Sequence, residues 1–300
     1  MTSRYNVAIL GASGLVGQRL QELLYDHPLF DVVAIAGSPN SVGLMHEEIE
    51  WRLDSRRPNY DILICSMSDI PDVDIAFSAL PNNVAEVVEP SLVARGIHVF
   101  SNASAFRRIA GIPLVIPEVN PEDMQSYYGH ACATNCTVVP VVTPIIGLKS
   151  LGLVSVTIHT RQALSGAGWR LLYDEDALAG NVNPMIPGEE EKLIAELKYL
   201  LGMEIPVIAS CNRVPERDGH FVSCGVEVEK VVHPLTGGEA SFVNFEAQEV
   251  LEGLGLTVWS PSGVLALGLV NVLRKHAAVF LGLQEVSELV ERLEKAYPAL

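Results

Sequence analysis

Short apolar runs alternate with amphipathic stretches through the first half of the chain. Residues 5–10 read as a short buried strand that runs into a glycine turn. The turn at 11–17 leads into an amphipathic helix to about residue 25, and a second β-rich run follows at 30–36. Together these make a βαβ unit. Further strands are expected at 61–64, 75–78, 98–101 and 114–116, with a helix at 84–95 between two of them. Strands that alternate with helices argue for a parallel sheet.

The pattern changes after about residue 150. Val154, Val156 and Ile158 alternate with Ser155, Thr157 and His159, as a half-buried strand requires, and residues 220–228 alternate likewise. Between them Leu193, Ile194, Leu197, Leu200 and Leu201 share one helical face. These segments predict a largely antiparallel sheet with helices on one side. Residues 285–297 read as another amphipathic helix. The sequence shows no internal repeat, low-complexity tract or long linker.

Bulk properties narrow the partners. The chain has 300 residues, 49% hydrophobic and 19% charged, enough for two packed domains or one large one. A formal net charge of -16 argues against nucleic acid or an anionic membrane, both of which need a basic face. An anionic ligand would therefore need positive charge gathered locally. The longest apolar run, 263–273, stops at Arg274 and Lys275 and is too short to span a bilayer, so a buried helix is expected there. The cysteines (Cys65, Cys132, Cys136, Cys211 and Cys224) are odd in number and scattered, which suits a reducing compartment. No second cluster joins Cys132 and Cys136 to complete a four-ligand set, so no metal is expected. The N-terminus enters a strand directly, and no signal peptide is expected.

Four segments carry candidate chemistry. Gly11, Gly14 and Gly17 form a GxxGxxG spacing between strand and helix, where glycine admits a diphosphate and the helix N-terminus attracts its charge. A tight structural turn is the alternative, and the strand-loop-helix context favours dinucleotide binding over it. The second strand ends in Gly37-Ser-Pro-Asn-Ser41, without the acid that NAD binders place there. Hydroxyls and an amide favour NADP.

Cys136 stands in Ala133-Thr-Asn-Cys-Thr137, ahead of the apolar stretch 138–148. A helix opening there would offer amides to a thiolate and then to an oxyanion. Against this stands a small buried core cysteine. In the third segment, a turn at 216–219 would put Arg213 and His220 on one face, a carboxylate clamp beside an acid/base; a satisfied loop histidine is the alternative. Gly188-Glu-Glu-Glu-Lys192 opens the later helix. Its acids serve either as dipole complement or, through Glu189 and Lys192 one turn apart, as ligands for an ammonium and a phosphate.

Taken in order, Phe77-Ser-Ala-Leu-Pro81, Ser101-Asn-Ala-Ser-Ala-Phe-Arg107, Val115-Ile-Pro-Glu-Val-Asn-Pro-Glu122, Thr134-Asn-Cys-Thr137, Gln162-Ala-Leu-Ser-Gly-Ala-Gly168, Gly188-Glu-Glu-Glu-Lys192, Cys211-Asn-Arg-Val214 and Asp218-Gly-His220 resemble the aspartate-semialdehyde dehydrogenase family, in particular its archaeal and fungal branch. The resemblance spans roughly residues 5–230. It implies an α/β fold: a Rossmann-type dinucleotide-binding domain (1–133 and 260–300) plus an α+β catalytic and dimerisation domain (134–259). It implies Cys136 as nucleophile, His220 as acid/base and Gln162 orienting acyl-enzyme and water. Arg213 would take the substrate α-carboxylate and Glu189 its amino group. Arg107, Asn135 and Lys192 would hold phosphate, which answers the charge question. Gly11, Ser13, Gly14, Leu15, Val16, Ser38, Asn40, Ser41, Ser165 and Gly166 would contact NADP.

The implied reaction is NADPH-dependent conversion of an acyl phosphate, L-aspartyl-4-phosphate, to its semialdehyde, a step of lysine, threonine and methionine biosynthesis. The setting would be a cytoplasmic homodimer or homotetramer. A malonyl-CoA reductase, an N-acetylglutamyl-phosphate reductase and a non-catalytic NADP-sensing relative are the alternatives. The sequence departs from the family pattern in the 38–44 loop, which lacks the usual arginine and lysine, and at Ser260-Pro-Ser-Gly263.

Overall fold

Five parallel strands form the first sheet: β1 (Tyr5–Leu10), β2 (Phe30–Ala36), β3 (Ile75–Ser78), β4 (His98–Ser101) and β5 (His130–Cys132), in spatial order β2-β1-β3-β4-β5. Helix α1 (Leu15–Leu24) connects β1 to β2, and α2 (Asn82–Ala94) connects β3 to β4. Side chains of β1 alternate between two cores. Val7 and Ile9 pack with Leu24, Val32 and Ile35, whereas Ala8 and Leu10 pack with Leu92 and Val99. Burial on both faces is why the strand reads as one apolar run rather than an alternation. Because β2 and β3 lie on opposite sides of β1, the chain reverses direction across the sheet there. The carboxyl ends of β1 and β3 thus border a topological switch point, the usual ligand crevice of such sheets.

The computed structural model describes residues 4–149 and 152–229. They divide into two compact units. This sheet belongs to the first unit, which comprises residues up to 116 with 121–134 and 167–173; the second takes 117–120, 135–166 and the residues from 174 onward. The expected helices at 263–273 and 285–297, and the 260–300 part of the nucleotide domain, lie outside the described residues.

Two expected strands are absent as ladders. The segment at 61–64 makes a single bridge from Leu63 to Met45, with Cys65 bridged to Ala36 of the edge strand β2; the segment at 114–116 makes one bridge, Leu114 to Cys132 of β5. Pro113 and Pro117 flank the latter and cannot donate, so pairing does not propagate. The sequence reading also passed over β5 itself, three buried residues too short to show a period.

In the second unit, β6 (Leu153–Gln162) is the central strand of three, with β7 (Val207–Arg213) and β8 (Phe221–Val228) on either side. Helix α3 (Val139–Ile146) precedes β6. Two one-turn helices follow it: α4 (Trp169–Leu172), which belongs to the first unit, and α5 (Glu175–Leu178). Helix α6 (Glu189–Leu201) then leads to β7. The sheet is mixed. β6 pairs antiparallel with β8, as expected, but parallel with β7. The reason is α6, which carries the chain back along β6 so that β7 starts at the same end. The helix buries Leu193, Leu197, Leu200 and Leu201, and α3 buries Val141, Val142 and Ile145.

Candidate active site

The mixed pairing gathers the predicted residues. Parallel register sets Gln162, the last residue of β6, opposite Arg213, the last of β7, and antiparallel β8 begins at Phe221 beside Arg161. His220, one residue earlier, therefore stands at the same sheet end. The connection from β7 to β8 crosses the end of β6, held by Leu164 N donating to Glu216 O (2.8 Å) and Ser165 N to Arg217 O (3.1 Å). Gly219 takes φ +82°, a left-handed turn that glycine makes without steric cost.

Cys136 lies in the turn before α3, and its Sγ is 3.3 Å from His220 Nε2. It is exposed, while Cys132, Cys211 and Cys224 are buried and Cys65 is partly buried. Burial pushes the Cys211 and Cys65 thiols up and Cys224 up to about 12, which leaves them poor nucleophiles. The core-cysteine reading of Cys136 is thereby set aside.

The protonation of His220 follows from its partners. Ala163 N donates to His220 Nδ1 at 3.1 Å. A nitrogen that accepts cannot carry the ring proton, so in the neutral imidazole the proton sits on Nε2, facing Sγ. Burial, and then the Arg213 guanidinium, hold the His220 pKa below its ordinary value, with Asp218 and Glu189 opposing. His220 is thus neutral near pH 7 and donates toward sulfur, the arrangement that holds a thiolate. Two of the amides ahead of α3 are engaged within the turn itself: Thr137 N donates to Asn135 Oδ1 (3.0 Å) and Val138 N to Asn135 O (3.0 Å).

Ala163 serves Arg213 as well, because its carbonyl accepts from Arg213 Nη1 at 2.6 Å. A single residue of backbone so orients two functional side chains. Gly166 makes room for both: a Cβ there would lie 2.8 Å from His220 Cε1 and 2.9 Å from Arg213 Nη1. Ser165 Oγ donates to Asp218 Oδ1 (2.6 Å) and ties this loop to the turn before His220.

The acids that open α6 are more than a solvated helix start. Glu189 is buried, and its Oε1 accepts from Asn135 Nδ2 (2.9 Å) and Gln162 Nε2 (3.2 Å). Lys192 Nζ lies 3.9 Å from Glu189 Oε2 with its side chain 42% exposed, so it reaches solvent beside the cluster. Glu190 Oε1 accepts from Cys211 N of β7 at 2.9 Å. The second unit therefore brings together Asn135, Cys136, Gln162, Ser165, Gly166, Glu189, Lys192, Arg213 and His220.

The remaining predicted residues lie in the first unit. Gly11 takes φ +96°, where a Cβ would meet Ala79 O at 2.7 Å, and a Cβ on Gly17 would meet Gly11 O at 2.0 Å. Only glycine serves at either position, and the turn it permits leaves Ser13, Gly14, Leu15 and Val16 at the α1 N-terminus, beside the switch point. That is a cradle suited to a dinucleotide diphosphate. Ser38 and Asn40 are exposed, but Ser41 is buried and its hydroxyl donates to Ser38 O at 3.0 Å, holding the turn. Arg107 is buried, with Nη2 donating to Asn102 O at 2.9 Å. Sequence reasoning passed over Arg52, whose Nη1 donates to Ser13 O and whose guanidinium lies 4.0 Å from the Trp169 ring centre. It also passed over the Ala163 peptide and Glu196. Glu196 was detectable as an acid two turns beyond Glu189 on the apolar face of a predicted helix. Among the described residues no group of three or more His, Cys, Asp or Glu could hold a metal, and no helix is long and apolar enough to cross a membrane.

Comparison with known proteins bears on this arrangement. A family model described as "Semialdehyde dehydrogenase, NAD binding domain" matches residues 6–127. A second, described as "FHIPEP family", matches residues 199–300, a range that includes the expected C-terminal part of the nucleotide domain. The chain is 39% identical over 252 residues to aspartate-semialdehyde dehydrogenase of Archaeoglobus fulgidus, covering 76% of this chain and 73% of that protein. It is 38% identical over 249 residues to the enzyme of that name from Methanothermobacter thermautotrophicus, covering 75% and 71%. Among solved structures, that of aspartate semialdehyde dehydrogenase with NADP from Candida albicans superposes with a TM-score of 0.67 at 30% identity, covering 77% of this chain and 74% of that one.

Proposed function

The chain belongs to the aspartate-semialdehyde dehydrogenase family, and from that premise we propose how its residues divide the chemistry. The reaction is the reductive dephosphorylation of L-aspartyl-4-phosphate to L-aspartate 4-semialdehyde by an NADP-dependent oxidoreductase. The observation that carries the residue assignment is the 3.3 Å approach of Cys136 Sγ to His220 Nε2.

Cys136 thiolate attacks the acyl carbon, the carbon–oxygen bond to phosphate breaks, and phosphate leaves with the electron pair. Covalent catalysis suits this step because a thioester accepts hydride readily and a thiolate leaves readily. Bound NADPH supplies that hydride. Gly11, Ser13, Gly14, Leu15 and Val16 would hold the diphosphate, with Ser38, Asn40 and the turn built by Ser41 near the ribose. His220 donates from Nε2 to the attacking thiolate and again to the departing one as the thiohemiacetal collapses. Gln162, fixed by Glu189, orients the acyl group. Arg213 takes the α-carboxylate, Glu189 the ammonium, and Lys192 with Arg107 the phosphate. The carboxamide of Asn135 is committed to Glu189 and Thr137, so we assign it to the nucleophile's turn rather than to phosphate. We read the protein as a cytoplasmic homodimer or homotetramer, which light scattering on the eluted protein would check. The malonyl-CoA and N-acetylglutamyl-phosphate reductase readings are not favoured, nor is a non-catalytic sensor.

NADP reduction is measured with aspartate semialdehyde and phosphate, beside malonate semialdehyde and CoA. Turnover in the first assay alone is expected. Turnover confined to the CoA assay would overturn the substrate assignment.

A further inference from the structure

Helix α6 sends a second buried acid toward the nucleophile. Glu196 follows Glu189 by seven residues, which is two turns and about 10 Å along the same helical face. It is 2% exposed, and its Oε2 accepts from Asn135 N at 2.7 Å. Glu189 Oε1 meanwhile accepts from the side-chain Nδ2 of the same asparagine at 2.9 Å. The residue just before Cys136 is thus grasped by backbone and side chain at once. The grip fixes which way the carboxamide faces, because with Nδ2 held by Glu189, Oδ1 must point back along the turn. There it accepts from Thr137 N and Thr137 Oγ1, both at 3.0 Å, and lies 3.4 Å from Cys136 Sγ.

We propose that Glu196 is a positioning residue for the nucleophile: by accepting from Asn135 N it holds the turn that aims Cys136 Sγ at His220 Nε2. The inference rests on Cys136 being the nucleophile. Without an acceptor at 196, the Asn135 amide would be buried and unsatisfied, and the turn would relieve that by rotating. Rotation moves Sγ out of line with Nε2, and misplacement by about 1 Å costs on the order of a hundredfold in rate. Glu196 makes this contact inside the protein and meets the chain rather than substrate, so its loss should lower kcat and leave the Michaelis constants nearly unchanged.

The test compares Glu196→Gln, which keeps an acceptor of the same shape, with Glu196→Met, which removes it. Alkylation of Cys136 by iodoacetamide is followed by peptide mass spectrometry across pH 5–9, so thiol positioning is read without turnover and independently of the reaction assigned. The expected result is that Glu196→Met alkylates at least tenfold more slowly at pH 7, with its pH midpoint moved upward, and loses kcat in parallel. Glu196→Gln should recover most of both. A Glu196→Met protein that melts lower yet keeps the wild-type alkylation profile and kcat would overturn the proposal. So would a Glu196→Gln protein as impaired as the Met variant, because charge rather than the hydrogen bond would then be at work. Failure of the proposed reaction itself would appear separately, as turnover that survives Cys136→Ser.

Discussion

Replacing Gly166 with alanine adds one methyl group between two functional side chains. The new Cβ would sit 2.8 Å from His220 Cε1, 2.9 Å from Arg213 Nη1 and 3.0 Å from His220 Nε2. Ordinary contacts begin near 3.5 Å, so at least one neighbour must retreat by roughly 0.6 Å or more. His220 is pinned from behind by Ala163 N, and Arg213 by Ala163 O, so neither has an easy alternative rotamer. Retreat of the imidazole takes Nε2 out of its 3.3 Å alignment with Cys136 Sγ. Displacement of this size costs on the order of tenfold to a hundredfold in kcat/KM, or about 1.4–2.7 kcal/mol of barrier. The assay is NADP reduction with aspartate semialdehyde and phosphate. Melting is followed alongside, and a shift of only a few degrees is expected because the loop lies at the sheet end. A Gly166→Ala enzyme within threefold of wild type would show that the close approach of His220 and Arg213 to this glycine is irrelevant to catalysis.

Other outcomes follow from the same geometry. Lys192→Ala should raise the Michaelis constant for phosphate about tenfold and spare that for semialdehyde, whereas Arg213→Ala should do the reverse, since each loses one charge-assisted contact; steady-state kinetics in both substrates checks this. Cofactor titration should show NADP bound more tightly than NAD, by a smaller ratio than a basic loop would give, because 37–41 carries neither acid nor arginine. His46 is buried against Gln21, and burial, then Arg57, lower its pKa to about 4. Its neutral form is favoured by folding, so its stabilisation is complete above about pH 6.5 and is lost as pH falls toward 4, on the order of 3 kcal/mol in all. The urea midpoint of the native protein should therefore fall as pH is lowered across that window, and fall less in His46→Gln.

The sequence carried most of the first unit because doubly buried strands and a glycine turn leave strong local signals. Tyr5–Leu10, Phe30–Ala36, Ile75–Ser78 and His98–Ser101 appear with the expected bounds. It carried less of the second unit. Val207–Arg213 reads as a motif rather than a strand because Asn212 and Arg213 break its apolar pattern, and parallel pairing depends on where α6 returns the chain, which no short window encodes. The side chains of the site were legible from their motifs. What joins them was not, because Ala163 acts through backbone groups that any residue possesses. Glu196 stands out as an acid on the apolar face of a predicted helix, but the amide it meets, Asn135 N, lies 61 residues away and is not marked in the sequence.

The proposed chemistry turns on a thioester at Cys136. The most direct measurement is rapid acid quench of enzyme mixed with aspartyl phosphate and no NADPH, followed by peptide mass spectrometry. An aspartyl adduct is expected on the peptide bearing Cys136, absent in Cys136→Ser and lost on treatment with hydroxylamine. An adduct on Cys132 or Cys211 instead, or turnover that persists in Cys136→Ser, would contradict it.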